Sequence, residues 1–462
     1  MSVLRLRLLS ALITPLLFAA PIAQAQAPDS DVAAAKDMLK HAVAFRTEQG
    51  QVPQLARYLA DKLEAGGFAS SDIEIIPIAN TAALTVRYRG RGEAKPILIS
   101  GHIDAVAANP EDWTRDPFTL IEENGYLYGR GVADMKTAAV VLVQTFIRLK
   151  REGFVPNGDL IMLFSGDEET DMATTRELAK RYHDARFLLN ADAGGGTLDP
   201  SGKPVMYNVQ TAEKAYADFR ITFTSAGGHS SAPNVPDNAI YRLARAIDRV
   251  AAYQFPTQIS PTTRASLRSM GQRLQSPLGK ALMHYAEHPE DAEAAAIISA
   301  DPAYVGQIRT TCIATMLHGG HALNALPQRA SVDVNCRIFP GTPVESVRDM
   351  LVKVVDDTSA HFETLPPPPV ESPESPLRND VMERVAAAIH ARFPGVDVVP
   401  GMSAGATDSM HFRTLGVDSY GVSGEFAKDN DSFAHGLNEK LPAAEVPATL
   451  DYWHRLLMSL AK

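Results

Sequence analysis

The sequence is short of several features that would direct a reading elsewhere. It holds only two cysteines in 462 residues, Cys312 and Cys336, so it can form at most one internal disulfide. It has no cluster of basic residues, and its formal net charge is −10, which argues against nucleic-acid binding. Past the first twenty residues no apolar run reaches membrane-spanning length. No internal repeat is present. Hydrophobic residues make up 45% and charged residues 21%, the balance of an ordinary globular chain rather than a disordered or collagenous one.

The N-terminus reads as a secretory signal peptide. Arg5 and Arg7 precede the apolar stretch Leu8–Ala20, and Ala23-Gln24-Ala25 supplies small residues for cleavage. The stretch is too short to span a bilayer comfortably, so no stable membrane anchor is expected after cleavage. Cleavage after Ala25 would remove both arginines and make the mature chain more acidic by two charges. A periplasmic or secreted location follows. In such a compartment Cys312 and Cys336 can pair. They lie symmetrically about Asn324, as two antiparallel strands would place them, but two buried thiols fit the sequence equally well.

What the sequence does contain is a recurring arrangement of ligand-type residues after buried strands. Leu160-Ile161-Met162-Leu163-Phe164 is an apolar run of buried-strand type, and Ser165-Gly166-Asp167-Glu168-Glu169 follows it. Three carboxylates there are costly unless a metal, a cation or hydrogen bonds compensate them. Taken alone, a solvated acidic loop fits as well. The pattern recurs, however. Pro96–Ser100 leads into Gly101-His102-Ile103-Asp104, and Phe187–Asn190 leads into Ala191-Asp192. His, Asp and Glu are zinc-ligand types. Open α/β sheets gather ligands beyond the carboxyl ends of their strands.

The chain order supports such a sheet. Helices are expected over 31–41, 53–64 and 137–150, alternating with strands over 73–76, 83–88 and the three runs above. The pattern then changes. Half-buried alternation over 214–225, 308–317 and 329–338, helices over 238–252 and 344–357, and a weakly periodic helical stretch over 266–300 read as a separate α+β domain. The prolines at 366–369 and Ser372-Pro373 mark a stiff exit. Helices over 379–392 and 447–460 resume the first pattern. The fold class is therefore α/β, a mostly parallel sheet covered by helices, with an inserted α+β domain.

The ordered motifs resemble the aminoacylase–carboxypeptidase family of co-catalytic dinuclear zinc hydrolases. Its members include succinyl-diaminopimelate desuccinylase, acetylornithine deacetylase, glutamate carboxypeptidase and carboxypeptidase S. The resemblance rests on Gly-His-Ile-Asp at 101–104, Gly-Arg-Gly-Val-Ala-Asp-Met-Lys at 129–136, Asp-Glu-Glu at 167–169 and Asn-Ala-Asp at 190–192. It continues through Gly-Gly-His-Ser at 227–230, Asn-Ala-Leu-Pro at 324–327, Arg337 and the His435 loop. The Trp113–Phe118 loop and the long insert look most like the carboxypeptidase S branch. The implied domains are a signal peptide over 1–25, a catalytic domain over 28–212 and 370–462, and an inserted lid and dimerisation domain over 213–369.

The resemblance implies roles. His102 and Asp192 would bind one zinc, Glu169 and His435 the other, and Asp134 would bridge them, leaving space for a shared water. Glu168 would be the general base for that water, and Asp104 would orient a ligand imidazole. A cis peptide is implied at Asp134-Met135. His229 would stabilise the oxyanion, often across a homodimer interface, and Arg337, Asn324 and Gly405 would bind substrate. The implied cofactors are two Zn²⁺ per chain, with Co²⁺ or Mn²⁺ able to share such ligands. The activity expected is hydrolysis of an amide beside a free carboxylate, of carboxypeptidase or dipeptidase type. The alternative is an N-acyl-amino-acid deacylase of aminoacylase type, with a non-catalytic metal-binding periplasmic protein as a distant third. Met402, Trp113 and Phe412 could line a side-chain pocket, although large apolar residues are more often core. His284-Tyr285-Ala286-Glu287-His288 matches an inverted zincin motif, but Pro289 ends any helix there and the match reads as a surface coincidence.

Overall fold

The computed structural model describes residues 27–428, 431 and 434–462, so the signal-peptide reading lies outside the described residues. A ten-stranded sheet forms the centre of the larger part of the molecule. Its middle is parallel: Gly158–Ser165, Ala94–His102, Phe187–Asn190 and Ser419–Gly421 lie side by side and run the same way. Antiparallel strands flank this core. Thr81–Tyr88 and Ile73–Ile78 extend one side, and Pro204–Glu213 and Gly195–Leu198 extend the other.

The unbroken apolar runs of the central strands follow from burial on both faces. Ile97 and Ile99, Leu160, Met162 and Phe164, and Phe187 and Leu189 face one core, which includes Asp29–Ala44, Lys136–Arg151 and Glu445–Leu460. The intervening Leu98, Ile161, Leu163 and Leu188 face a smaller cluster with Leu178, Ala179 and Phe412. This period-two division sends neighbouring side chains to opposite sides, so no face is left for water.

The second sheet has four antiparallel strands in the order Thr311–Gly319, Arg329–Ile338, Ala215–Thr224, His361–Thr364. The helices Ala239–Ala252 and Val344–Val355 cover one face of it. The two sheets are joined almost without a break, because Pro204–Glu213 of the first runs through Lys214 into Ala215–Thr224 of the second. The stretch expected as one weak helix over 266–300 is four short helices, Pro261–Arg273, Pro277–Glu287, Ala292–Ser299 and Val305–Ile308. Ser260-Pro261 and Ser276-Pro277 each start a helix, the serine as N-cap and the proline in the first turn. These restarts interrupt the hydrophobic period. The last of the helices occupies the beginning of the strand expected from Ile308.

Cys312 and Cys336 are register partners in adjacent antiparallel strands, with Cα atoms 4.1 Å apart, and they form a disulfide. The bond closes a loop of sequence separation 24, for which chain entropy gives about 3 kcal/mol. The Cys312→Ser, Cys336→Ser double variant is expected to unfold at lower denaturant with at most that loss, read from equilibrium urea titration.

Candidate metal centre

Five chain segments converge at the carboxyl edge of the parallel strands. His102 is the last residue of its strand and is 1% exposed. Glu168 and Glu169 follow the strand that ends at Ser165, and Asp192 follows the strand that ends at Asn190. Asp134 precedes the helix Lys136–Arg151, and His435 comes from the loop before the last helix. Gly101 lets the Met135 side chain pack close to the strand, since a Cβ there would lie 2.4 Å from its terminal methyl. The Asp134–Met135 peptide is cis, as the resemblance implies.

The distances suit two neighbouring metal ions. His102 Nε2 is 2.9 Å from Asp134 Oδ1 and 3.4 Å from Asp192 Oδ1. His435 Nε2 is 3.0 Å from Asp134 Oδ2 and 3.1 Å from Glu169 Oε1. Ligand atoms about 2.0–2.1 Å from a tetrahedral zinc stand about 3.3 Å from one another, so each histidine–carboxylate group has the spacing of a ligand set. The two oxygens of Asp134 face different histidines. One ligand atom each from His102, Asp134 and Glu169 falls within 4.8 Å of the others.

The electrostatics show the same demand for positive charge. Burial, followed by the charges of Asp192, Asp408 and Glu169, pushes the Glu168 carboxyl up to about 10 although His102 opposes it. Burial raises Glu169 to about 7 and Asp192 to about 6, with Asp134 adding to both. Burial opposes the charged form of His102, but Asp192, Asp104 and Asp134 outweigh it and raise that imidazole well above its ordinary value. The hydrogen bond to Asp134 leads the rise of His435 to about 9. Carboxylates packed this closely destabilise one another's charge, and a bound cation pair removes that penalty. The donor set and its spacing therefore fit a metal pair.

The surrounding bonds hold these ligands in place. Asp104 accepts from the backbone N–H of Glu168 at 3.2 Å and of Glu169 at 3.0 Å. Its Oδ1 stands 3.3 Å from His102 Nδ1, close but not aligned as a hydrogen bond. Asp167, the first of the three acids, turns away and accepts from the backbone N–H of Ala173 and Thr174, where the helix Ala173–Arg181 begins. Asn190 accepts from the backbone N–H of Asp192 at 2.9 Å.

Glu439 is a functional residue that the sequence reading passed over. It is completely buried and accepts from the backbone N–H of Gly131, Ala133 and Asp134 at 2.9, 2.7 and 3.1 Å. It also accepts from Arg130 Nη1 at 2.7 Å. The His435 loop thereby holds the Asp134 loop. Arg130 stands inside the motif at 129–136 and Glu439 four residues after His435, so the two halves of this buried charge pair are split between the two motifs.

The four substrate-side residues divide into two pairs. His229 and Asn324 are exposed and lie together at a short ribbon, where Gly228–His229 pairs with Ala325–Leu326. His229 Nδ1 accepts from Ser231 Oγ at 2.7 Å, written for the tautomer with Nδ1 unprotonated. Among the described residues no hydrogen bond joins this pair to the carboxylate cluster. Arg337 donates to the Ala404 carbonyl at 2.7 Å, next to Gly405. Of the suggested pocket residues, Phe412 lies in the core under the sheet, and Trp113 is buried with the Arg130 guanidinium 5.0 Å from its ring. His284 and His288 are exposed and engage Asp291 and Glu290.

A helix-covered sheet with a His, Asp and Glu cluster at its strand ends defines a metal-dependent hydrolase. Residues 98–459 match the model of Peptidase family M20/M25/M40, and the chain belongs to that family. It hydrolyses amide bonds. The chain is 26% identical over 377 residues to "N-fatty-acyl-amino acid synthase/hydrolase PM20D1" of Xenopus tropicalis, covering 79% of this chain and 72% of the relative. It is 27% identical over 405 residues to "Probable succinyl-diaminopimelate desuccinylase" of Staphylococcus aureus, covering 87% and 93%. The fold is like that of the M20 family metallo-carboxypeptidase Sso-CP2 from Sulfolobus solfataricus, with a TM-score of 0.69, 18% identity and coverage of 92% and 99%.

Replacement of Glu439 by Gln keeps the shape but loses the anionic acceptor for three N–H groups and Arg130. Loss of such a supporting partner costs about 10–100-fold in metal affinity. That loss is expected in a chelator-competition titration of the Glu439→Gln variant, and unchanged affinity would remove Glu439 from the site.

Proposed function

We propose that the chain is an exported dinuclear zinc hydrolase that cleaves the amide bond of a small peptide or N-acyl amino acid beside a free carboxylate. The observation that carries the reading is the split of Asp134, with Oδ1 at His102 and Oδ2 at His435. His102 and Asp192 would hold one ion, Glu169 and His435 the other, and Asp134 both. When bound, the ions polarise the scissile carbonyl and lower the pKa of a water to about 7.

The protein groups supply the rest. Glu168 takes the proton of the attacking water and delivers it to the leaving nitrogen. The backbone bonds from Glu168 and Glu169 to Asp104 fix where the base stands relative to its ligand neighbour. Arg337 and the Gly405 backbone receive the substrate carboxylate, Asn324 contacts the substrate from the lid, and His229 donates to the developing oxyanion. The N-acyl-amino-acid reading draws support from the printed names of the two sequence relatives, while the carboxypeptidase reading draws on the fold neighbour. Both use the same centre. The Cys312–Cys336 disulfide supports an oxidising, exported location.

A homodimer through the lid is part of the proposal. The outer strand Thr311–Gly319 has an unpaired edge, and Ile313, Met316 and Leu317 on it are 67, 55 and 65% exposed. Ile240 and Tyr241 of the adjacent helix are exposed as well. An apolar sheet edge of this kind is a template for a second strand. Such a dimer lets the His229 ribbon of one protomer serve the metal centre of its partner.

Two experiments test these readings. Glu168→Ala is expected to retain two metals per chain by elemental analysis and to lose about 10²–10⁴ in kcat; retained turnover on a dipeptide and N-acyl-amino-acid panel would end the base assignment. The Ile313→Lys, Leu317→Lys double variant is expected to be monomeric by light scattering and to lose activity together with the dimer. A fully active monomer would place His229 outside the reaction.

A further inference from the structure

A cavity of about 200 Å³ lies beside Arg337 and carries more positive charge than its walls account for. Lys214 lines it, although this residue is only 3% exposed. Its ammonium donates to the Arg309 carbonyl at 2.7 Å. Arg337 lines the same cavity, donating to the Ala404 carbonyl and lying 4.6 Å from the Tyr216 ring. Neither makes an ion pair with a carboxylate among the described residues. Both bonds are to neutral carbonyls, which do not neutralise a cation. Burial, and then the Arg337 charge, lowers the Lys214 ammonium to about 7.

The rest of the lining gives the ligand its shape. Pro302, Val305 and Met402 supply apolar walls. Gly306 leaves the ammonium accessible, since a Cβ there would come within 3.3 Å of Lys214 Nζ. A buried cation without a counter-ion is costly, and an anion arriving from outside relieves it. Two cations around a short, partly apolar cavity match a carboxylate carried on a few methylene groups.

We propose that Lys214, in the cavity it shares with Arg337, forms an anion subsite that takes a side-chain carboxylate of the substrate while Arg337 keeps the terminal carboxylate, so that the protein selects acidic residues over their neutral amides. The inference rests on the reading of the Arg337 neighbourhood as the substrate side of the metal centre. Lys214 is then a specificity residue, and the two cations together hold both the terminal and the side-chain carboxylate of an acidic residue. The Lys214 backbone N–H donates to the Ser403 carbonyl at 3.0 Å, beside Ala404, which lines the same cavity.

The test is calorimetric titration of the metal-loaded protein with L-glutamate and L-glutamine, followed by kcat/KM for N-acetyl-L-glutamate and N-acetyl-L-glutamine. The wild type is expected to favour the acid at least ten-fold in both measurements. Lys214→Met, checked for folding by circular dichroism, is expected to bring the acid down to the level of the amide. Equal binding of acid and amide by the wild type would overturn the subsite, as would a Lys214→Met variant that weakens both alike. Selective glutamate binding that the variant abolishes supports the subsite even if neither amide is cleaved, because absent cleavage counts only against the hydrolase reading.

Discussion

The constraint on which the site depends is the crowding of carboxylates at one edge of the sheet. Asp134, Glu168, Glu169 and Asp192 come from three different segments and share a small, largely buried volume with only two imidazoles between them. Without a cation, burial and mutual repulsion disfavour the charged forms of Glu168, Glu169 and Asp192. Asp134 is the exception, held well below the ordinary carboxylate range because His102 and His435 both bond to it, despite its burial. The bridging position is therefore the one where negative charge is most secure. A folded chain that keeps so much like charge together stores an electrostatic cost, and a bound metal ion would convert that cost into binding free energy.

The ligands stay in register because the loops that carry them are bonded to one another rather than to the sheet alone. Asp104 ties the His102 strand to the Glu168–Glu169 turn. Glu439 ties the His435 loop to the Gly131–Asp134 turn. Asn438 accepts from Thr114 of the Trp113–Phe118 loop, so that loop joins the same assembly. These are charged or amide acceptors meeting backbone donors, the strong and directional kind of contact. Each fixes a ligand-bearing loop without occupying a ligand position, which leaves the metal-facing atoms free.

The central strands and the polar residues gathered at their ends were legible in the sequence for a physical reason. A strand buried on both faces must be apolar throughout, so a polar residue at its end stands out, as His102, Glu168 and Asp192 do. Arg329–Ile338 was equally readable, because Ala330, Val332, Val334, Cys336 and Ile338, which face the core, alternate with Ser331, Asp333, Asn335 and Arg337. Pro204–Glu213 was missed because its second half is buried on both faces while its first half is not, and neither period dominates. Gly195–Leu198 and Ser419–Gly421 are too short to carry a period at all. Glu439 was missed because nothing local marks a glutamate as buried. Its partners are about three hundred residues away, and only the fold brings the backbone N–H groups of residues 131–134 to it.

The junction between the two sheets is fastened by a buried ion pair. Glu213 lies where the chain leaves the first sheet and forms an ion pair with Arg413 at 2.9 Å, both side chains being 1% exposed. Arg413 also donates to Ser375 on the returning segment at 3.0 Å and to the Ser419 carbonyl at 2.9 Å. One guanidinium thus fastens the outgoing and the returning chain to the central sheet. Breaking such a buried pair exposes an uncompensated charge, so the crossing point does not open as a simple hinge. Lys214 follows this fixed point directly, and Arg337 pairs with Tyr216 two residues further on, so both cations are held close to the anchored sheet.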